Sequence, residues 1–371
     1  MKWIIFLNVL IWTFSSPAIA QKHTSDIITI PVVVHVLYNN TRQNISDDQI
    51  RSQLAVLNRD YRKKNADAAN TPDAFKGFAA DARIEFRLAT TDPSGMPTNG
   101  ITRKNTSEPS FGVDDKIKSA LSGGTDGWNR EQYLNIWVGN IIGGVLGYAS
   151  SPGCSSGKDG VVIRYTVFGT TANIPPPYNK GRTAVHEIGH WLGLRHIWGD
   201  SPCGDDLIGD TPPQAGPTRG CPSGVQVTCS SGVTGNMYMN FMDFTNDDCT
   251  NMFTYGQVAK MQELFAGEGA RHALLSSDKA AGASEELEDK AALTIERWQI
   301  YPNPAINEIR VSLSAGEEQY GQQIIIYNHL GKVAKKITIT KKELLINLNG
   351  WKGGVYFISC GGVARKFLKL D

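Results

Sequence analysis

Apolar and polar positions along the chain fall into patterns that assign most of its elements. Residues 28–38 (ITIPVVVHVLY) form a long, largely β-branched apolar run, the mark of a strand buried on both faces, and His35 inside it reads as a packed core residue. Ser46 stands as the cap of an amphipathic helix with an acidic start, DDQIRSQLAVLNRDYRKK. Residues 82–88 (ARIEFRL) alternate as a half-buried strand does, and 134–138 (LNIWV) and 160–165 (GVVIRY) predict two more. Asp114 to Leu121 has helical character, whereas Gly143 to Ala149 (GGVLGYA) reads as a glycine-loosened strand or rim. The Pro-rich loop IPPPY leads into a helix over Lys180 to Leu194, and a further helix spans Tyr255 to Ala266. Strands and helices mixed in this way predict an α+β or α/β unit over 29–270, α+β being the fold class expected.

From Gly199 to Asn251 the chain is rich in Gly, Pro, Asp and Cys and has little periodicity, so a compact fold there needs covalent staples. Residues 271–297 lack apolar patterning and read as a linker. Beyond Tyr301-Pro-Asn-Pro, the alternating runs NEIRVSLS, QQIIIYNHLGKV, LLINLNGW, GVYFISCGG and ARKFLKL predict a small all-β sandwich over 298–371.

Charge is balanced, at 37 Lys plus Arg against 36 Asp plus Glu, and no basic block points to a nucleic acid partner. Residues 1–20 (MKWIIFLNVLIWTFSSPAIA) join Lys2, an apolar run and the small-residue site Ala18-Ile19-Ala20. They read as a secretory signal peptide cut after Ala20, leaving 21–28 as a short leader or prosegment. No later segment is apolar enough to span a membrane. Export implies oxidising surroundings, and Cys203, Cys221, Cys229 and Cys249 crowd the irregular stretch without the CxxC pairs of a structural zinc site. Two disulfides among these four are expected, with Cys154 and Cys360 as thiols outside that framework.

The densest chemistry lies in HEIGHWLGLRH, residues 186–196. Side chains four apart on a helix are offset by only about 40°, so His186 and His190 face one ion together. His196 lies about 240° further round, so the chain must turn to bring it in, and Gly193 is placed to make that turn. Three imidazoles around a zinc ion leave one position for water, and Glu187 beside the first ligand has the place of a general base.

HExxHxxGxxH with a downstream methionine resembles the metzincin metallopeptidases, and Met242 in NFMDF is the candidate for the turn beneath the imidazoles, with Met237 and Met239 as rivals. VHEIGHWLGLRHIWG, CGDDLIGDTP, the GCP at 220–222 and MNFMDFTNDDCTNMFT narrow the resemblance to the pappalysin family, over roughly residues 28–267. It implies a metzincin-like fold of a twisted mixed sheet plus helices, and a secreted zinc endopeptidase acting on protein or peptide substrates. It also implies disulfides Cys203 with Cys229 and Cys221 with Cys249, and structural calcium with Asp206, Asp210 and Thr211 as candidates. Asp248 matches the family's acidic residue at the base of the primed-side pocket, where a buried carboxylate would favour Arg or Lys after the scissile bond (P1′). Leu146 to Ala149 is the rim expected to pair with substrate as an added strand.

One position departs from the family. A tyrosine usually follows the turn methionine by two residues and hydrogen-bonds the tetrahedral intermediate; here Phe244 stands there. Losing one such donor costs about 10²-fold in rate unless Tyr238 or a backbone group replaces it. Finally, YPNPAINEIRV, IIIYNHLGKV, GGVYFI and KFLK resemble the C-terminal sorting domain of type IX secretion cargo, an Ig-like sandwich, which implies that secretion machinery as a partner and an extracellular or cell-surface location. The alternative is a secreted binding or adhesion protein with a weakened metal site; Phe244 favours it, and the intact Glu187 and His196 oppose it.

Overall fold

The computed structural model describes residues 27–171, 174–229, 231–281, 298–313, 323–328, 332–360 and 363–371. The expected signal peptide, nearly all of the leader and residues 282–297 of the expected linker lie outside them.

In chain order the first unit comprises β1 (Ile28–Tyr38), α1 (Asp47–Tyr61), α2 (Asp73–Lys76), β2 (Ala79–Ala80), β3 (Ile84–Leu88) and β4 (Ile101–Asn105). β5 (Leu134–Gly139), β6 (Gly147–Ala149), β7 (Val161–Arg164), α3 (Arg182–Trp191), β8 (Phe253–Thr254) and α4 (Tyr255–Glu263) follow. β1 is the spine. β3 runs parallel to its first half and β4 to its second, while β5 lies parallel along its other edge. β7 continues the parallel sheet on β5, and β6 closes it as an antiparallel edge strand.

Both faces of this sheet are covered, which is why the spine reads as a continuous apolar run. Ile30, Val32, Val34 and Val36 enter the main core with α1 and α3, and Leu37 faces the smaller cluster of Trp137, Val162 and Ile117 on the opposite side. His35 is buried there as a structural residue, with its ring nitrogens against Thr102 Oγ1 (2.8 Å) and Asn135 Oδ1 (3.0 Å). Ser46 caps α1, its hydroxyl accepting from Gln49 N–H at 3.1 Å. α1 buries Ile50, Leu54 and Leu57, and its Tyr61 hydroxyl donates to Val185 O of α3 at 3.0 Å.

The structure departs from the sequence pattern in several places. Asp114 to Leu121 forms two separate 3₁₀ turns, Lys116–Lys118 and Ala120–Ser122, split by Ser119 in an extended conformation. The buried Lys118 ammonium pairs with Asp115 and donates to Lys158 O at 2.8 Å, so tertiary anchors override the local helical tendency. β4 has no apolar alternation to announce it; pairing with β1 makes it a strand. The first unit also continues past residue 270, where a linker was expected. Arg271 is buried against Asp159 and Trp191, Leu274 joins the core, and Lys279 O accepts from Thr90 N–H at 2.7 Å.

The second unit holds β9 (Trp298–Tyr301), β10 (Glu308–Leu313), β11 (Gln323–Asn328), β12 (Val333–Thr338), β13 (Glu343–Asn347), β14 (Gly354–Cys360) and β15 (Val363–Lys369). Antiparallel sheets ordered β13-β10-β9 and β12-β11-β14-β15 enclose one apolar core that includes Ile309, Val311, Ile324, Ile346 and Phe367. Among the described residues no helix is long and apolar enough to cross a membrane.

Candidate active site and metal centre

α3 presents His186, Glu187 and His190, and Gly193, at φ +83°, ends it. Gly193 N–H donates to His190 O at 2.9 Å and Leu194 N–H to Gly189 O at 3.0 Å, closing the helix with a left-handed residue that glycine adopts without strain. The chain then reverses and returns His196 to the same point. His190 Nε2 lies 3.0 Å from His186 Nε2 and 3.1 Å from His196 Nε2. Tetrahedral zinc with Zn–N of about 2.0–2.1 Å sets nitrogen separations near 3.3 Å, so the donor triangle fits that ion.

Each ring's other nitrogen is committed elsewhere. Nδ1–H of His186 donates to Phe241 O (2.7 Å), that of His190 to Leu194 O (2.9 Å) and that of His196 to Asp200 Oδ1 (2.5 Å). These bonds leave three bare Nε2 lone pairs pointing at one another, an arrangement that a cation satisfies. Burial holds His186 well below the usual imidazole range and His190 at about 4, so both are neutral donors near pH 7. Among the described residues this triad is the one cluster of three or more His, Cys, Asp or Glu side chains placed to share an ion.

Met242, the expected floor, is fully buried with its thioether against the zinc helix at Gly189. A Cβ on Gly189 would stand 2.5 Å from Met242 Sδ, so the glycine inside HEIGH is what lets the thioether lie under the helix. The turn carrying Met242 is braced by a buried amide pair: Asn240 Nδ2 donates to Gln257 Oε1 (2.7 Å), Gln257 Nε2 donates back to Asn240 Oδ1 (3.0 Å), and Met242 N–H donates to the same Oδ1 (2.9 Å). Asn240 and Gln257 escaped the sequence reading, since only their meeting gives them a role. Gly189 carried a signal, because glycine within a helix is costly unless something needs the space. Met237 and Met239 are core filling.

Glu187 is buried, and that burial alone raises its carboxyl to about 8. A Cβ on Gly147 of β6 would sit 2.8 Å from Glu187 Cγ, so this glycine brings the edge strand against the glutamate. A cleft of about 450 Å³ opens here, lined on one side by Leu146 and Gly147 and on the other by Arg219, Asp243, Phe244 and Thr245. The Phe244 ring centre lies 5.6 Å from that of His186 and 4.8 Å from that of His196. Tyr238 packs against the core.

Disulfides join Cys203 with Cys229 and Cys221 with Cys249. Closures over separations of 26 and 28 residues each remove roughly 3.5 kcal/mol of unfolded-chain entropy, which braces the irregular segment beneath the site. Cys154 is a free, half-buried thiol; the side chain of Cys360 lies outside the described positions.

Asp248 requires correction as the pocket base. It is exposed, is neutralised by Lys180 Nζ at 2.6 Å, and does not line the cleft. Besides Glu187, Asp243 and Asp247 are the buried carboxylates that do. Of the expected calcium candidates, Asp206 Oδ1 accepts from Thr211 Oγ1 (2.6 Å) while its Oδ2 is buried without a partner, and Asp210 accepts from Thr254 Oγ1 and Gly256 N–H (2.7 Å each) at the start of α4.

Comparison with known proteins agrees with this geometry. The peptidase M43 family, described as pregnancy-associated plasma protein-A, matches residues 119–266, and a secretion system C-terminal sorting domain matches 299–369. An extracellular metalloprotease of Arthroderma otae is 32% identical over 269 residues, covering 69% of this chain and 85% of that protein. One from Pyricularia oryzae is 33% identical over 249 residues, covering 64% and 75%. Mature mirolysin of Tannerella forsythia, solved with a cleaved peptide, is 51% identical with a TM-score of 0.67, covering 68% of this chain and 97% of that one.

Proposed function

Because the chain belongs to the pappalysin (M43) family of extracellular metalloproteases and carries a type IX sorting domain, we propose that it is a secreted zinc endopeptidase with Glu187 as general base. The observation that carries this reading is the convergence of three imidazoles, with His190 Nε2 3.0 Å from His186 Nε2 and 3.1 Å from His196 Nε2, beside a buried glutamate. His186, His190 and His196 hold the ion, and Asp200 and two backbone carbonyls orient them. Zinc, when bound there, acts as a Lewis acid and lowers the pKa of a water from about 15.7 toward 7. Glu187 takes a proton from the attacking water as the new C–O bond forms, then delivers it to the leaving amine as the C–N bond breaks. The free edge of β6 offers backbone groups along which a peptide aligns as an added strand.

A preference for Arg or Lys at P1′ rests on the buried end of the cleft. There Thr245 Oγ1 and Thr250 Oγ1 are buried without partners, close in sequence to Asp247. A cationic donor reaching this end meets acceptors on three residues. Residues 299–369 are the segment that the type IX machinery recognises.

Two measurements test the reading. Zinc content near one ion per chain, with casein cleavage abolished by a chelator and restored by added zinc, is expected; cleavage that survives complete zinc removal overturns it. Sequencing the products of a peptide library is expected to show Arg and Lys enriched after the scissile bond, and an even distribution there removes the P1′ assignment.

A further inference from the structure

Two arginines line the cleft, Arg182 and Arg219, and they differ in their partners. Asp243 is fully engaged: Oδ1 accepts from Thr218 N–H and Phe244 N–H (2.7 Å each), and Oδ2 from Gln214 Nε2 (3.0 Å). Asp247 Oδ2 accepts from Lys180 N–H at 2.7 Å. Arg182 is consumed by Asp60 and Asp67. Arg219 alone has no carboxylate or carbonyl partner among the described residues; its guanidinium carbon sits 5.7 Å from the centre of the Phe244 ring. That ring in turn contacts His186 and His196. Arg219 and two of the metal-site histidines therefore neighbour the same phenyl ring.

The backbone around Arg219 is held while its side chain is exposed and open to the cleft. Asp243 Oδ1 ties the residue before Arg219 to Phe244, Asn246 N–H donates to Gly220 O at 3.0 Å, and the Cys221–Cys249 bond locks the residue after that. Three restraints thus keep Arg219 beside the ring without using its guanidinium. Peptide hydrolysis needs a donor beside the metal centre. As water adds to the scissile carbonyl, the π electron pair moves onto oxygen, and preorganised charge aimed at that oxygen lowers the barrier. Phe244 has no donor to offer.

We propose that Arg219 is a catalytic residue whose guanidinium stabilises the oxyanion of the tetrahedral intermediate. Phe244 serves as the platform on which it stacks. This rests on the peptidase reading above. The balance of the step is unchanged: the water proton goes to Glu187 and then to the amine nitrogen, and Arg219 keeps its own protons throughout.

The test compares wild type, Arg219→Ala, Arg219→Gln and Arg219→Ala/Phe244→Tyr at equal zinc content. Arg219→Ala is expected to lose about 10² in kcat with little change in KM. Phe244→Tyr in that background is expected to recover at least tenfold, because it supplies a hydroxyl at the same place. Calorimetry adds a readout independent of turnover: a phosphinic peptide mimicking the tetrahedral state should bind Arg219→Ala about 10²-fold more weakly, while the product peptide binds unchanged. An active wild type with kcat and phosphinate affinity preserved in Arg219→Ala overturns the proposal and leaves the peptidase reading standing. A loss confined to KM for substrates with Asp or Glu overturns it in favour of a side-chain specificity role. Should Arg219→Ala fail to fold, Arg219→Gln keeps most of the side chain's length without its charge, and unchanged kcat and phosphinate affinity in that variant also overturn it. A wild-type protein without peptidase activity refutes the reading beneath it instead.

Discussion

Glu187→Gln is expected to lose about 10³- to 10⁴-fold in kcat while keeping its zinc, its melting temperature and its affinity for product peptides. Glutamine has nearly the shape of glutamate, so the close approach of Gly147, whose added Cβ would stand 2.8 Å from Glu187 Cγ, is undisturbed. The three histidines draw their orientation from Phe241, Leu194 and Asp200, none of which depends on Glu187. What disappears is a group able to take the water proton and return it to nitrogen. Metal analysis and steady-state kinetics on the same preparation check this. Casein hydrolysis at the wild-type rate by a zinc-loaded Glu187→Gln protein would remove the glutamate from the mechanism.

The largest effect on stability is expected from Arg182→Met. Arg182 opens α3, where a positive charge opposes the helix dipole, so its place there is explained by tertiary partners. Nε donates to Asp60 Oδ2 (3.1 Å), Nη1 pairs with Asp67 Oδ2 (2.7 Å), Nη1 also donates to Asp247 O (2.5 Å), and the guanidinium covers the Phe241 ring at 5.4 Å. These contacts join α1, the loop after it and the segment following the methionine turn to the first residue of the zinc helix. Removing the cation leaves buried Asp60 with only Arg59 and Asp67 with only the Asn65 amide, a cost of about 3–5 kcal/mol. For a unit of this size that is a fall in Tm of roughly 6–20 °C. Burial pushes the Asp67 carboxyl up, but its Arg182 bonds more than offset this and hold it below the ordinary value. A lowered carboxyl contributes stability above its unfolded pKa and loses it as pH falls through the folded one. The gap between wild type and Arg182→Met is therefore full at neutral pH and narrows in acid. Calorimetry showing a Tm within 2 °C of wild type at pH 7 would discount the network.

Much of the fold is legible along the chain because local chemistry and tertiary role coincide. The run 28–38 is apolar at nearly every position because strands flank both edges and side chains cover both faces, and Ser46 caps its helix by a bond within its own turn. Where a residue's role depends on a distant group, legibility ends. Lys116–Lys118 leaves the helical path because Lys118 reaches Asp115 and the carbonyl of Lys158. Residues 271–281 look like a linker until Arg271 is seen stacked 3.9 Å over Trp191. Asp248 resembled a pocket base by position, yet Lys180 claims it, and its neighbour Asp247 is the one that turns inward.

By itself the sequence determined the donor set: three imidazoles, a glutamate and a glycine whose spacings follow from helix periodicity and one left-handed residue. It also determined that an all-β unit follows, since alternation with turn residues is a local signal. Only the tertiary structure decided what surrounds those donors. Asn240 meets Gln257 behind the methionine turn, Gly189 yields its side-chain space to Met242, and Arg219 arrives beside Phe244 with no ion-pair partner among the described residues. The physical reason is one of range. Helix geometry acts over a few residues, whereas burial, charge compensation and close packing are set by groups that only the folded chain brings within a few ångströms.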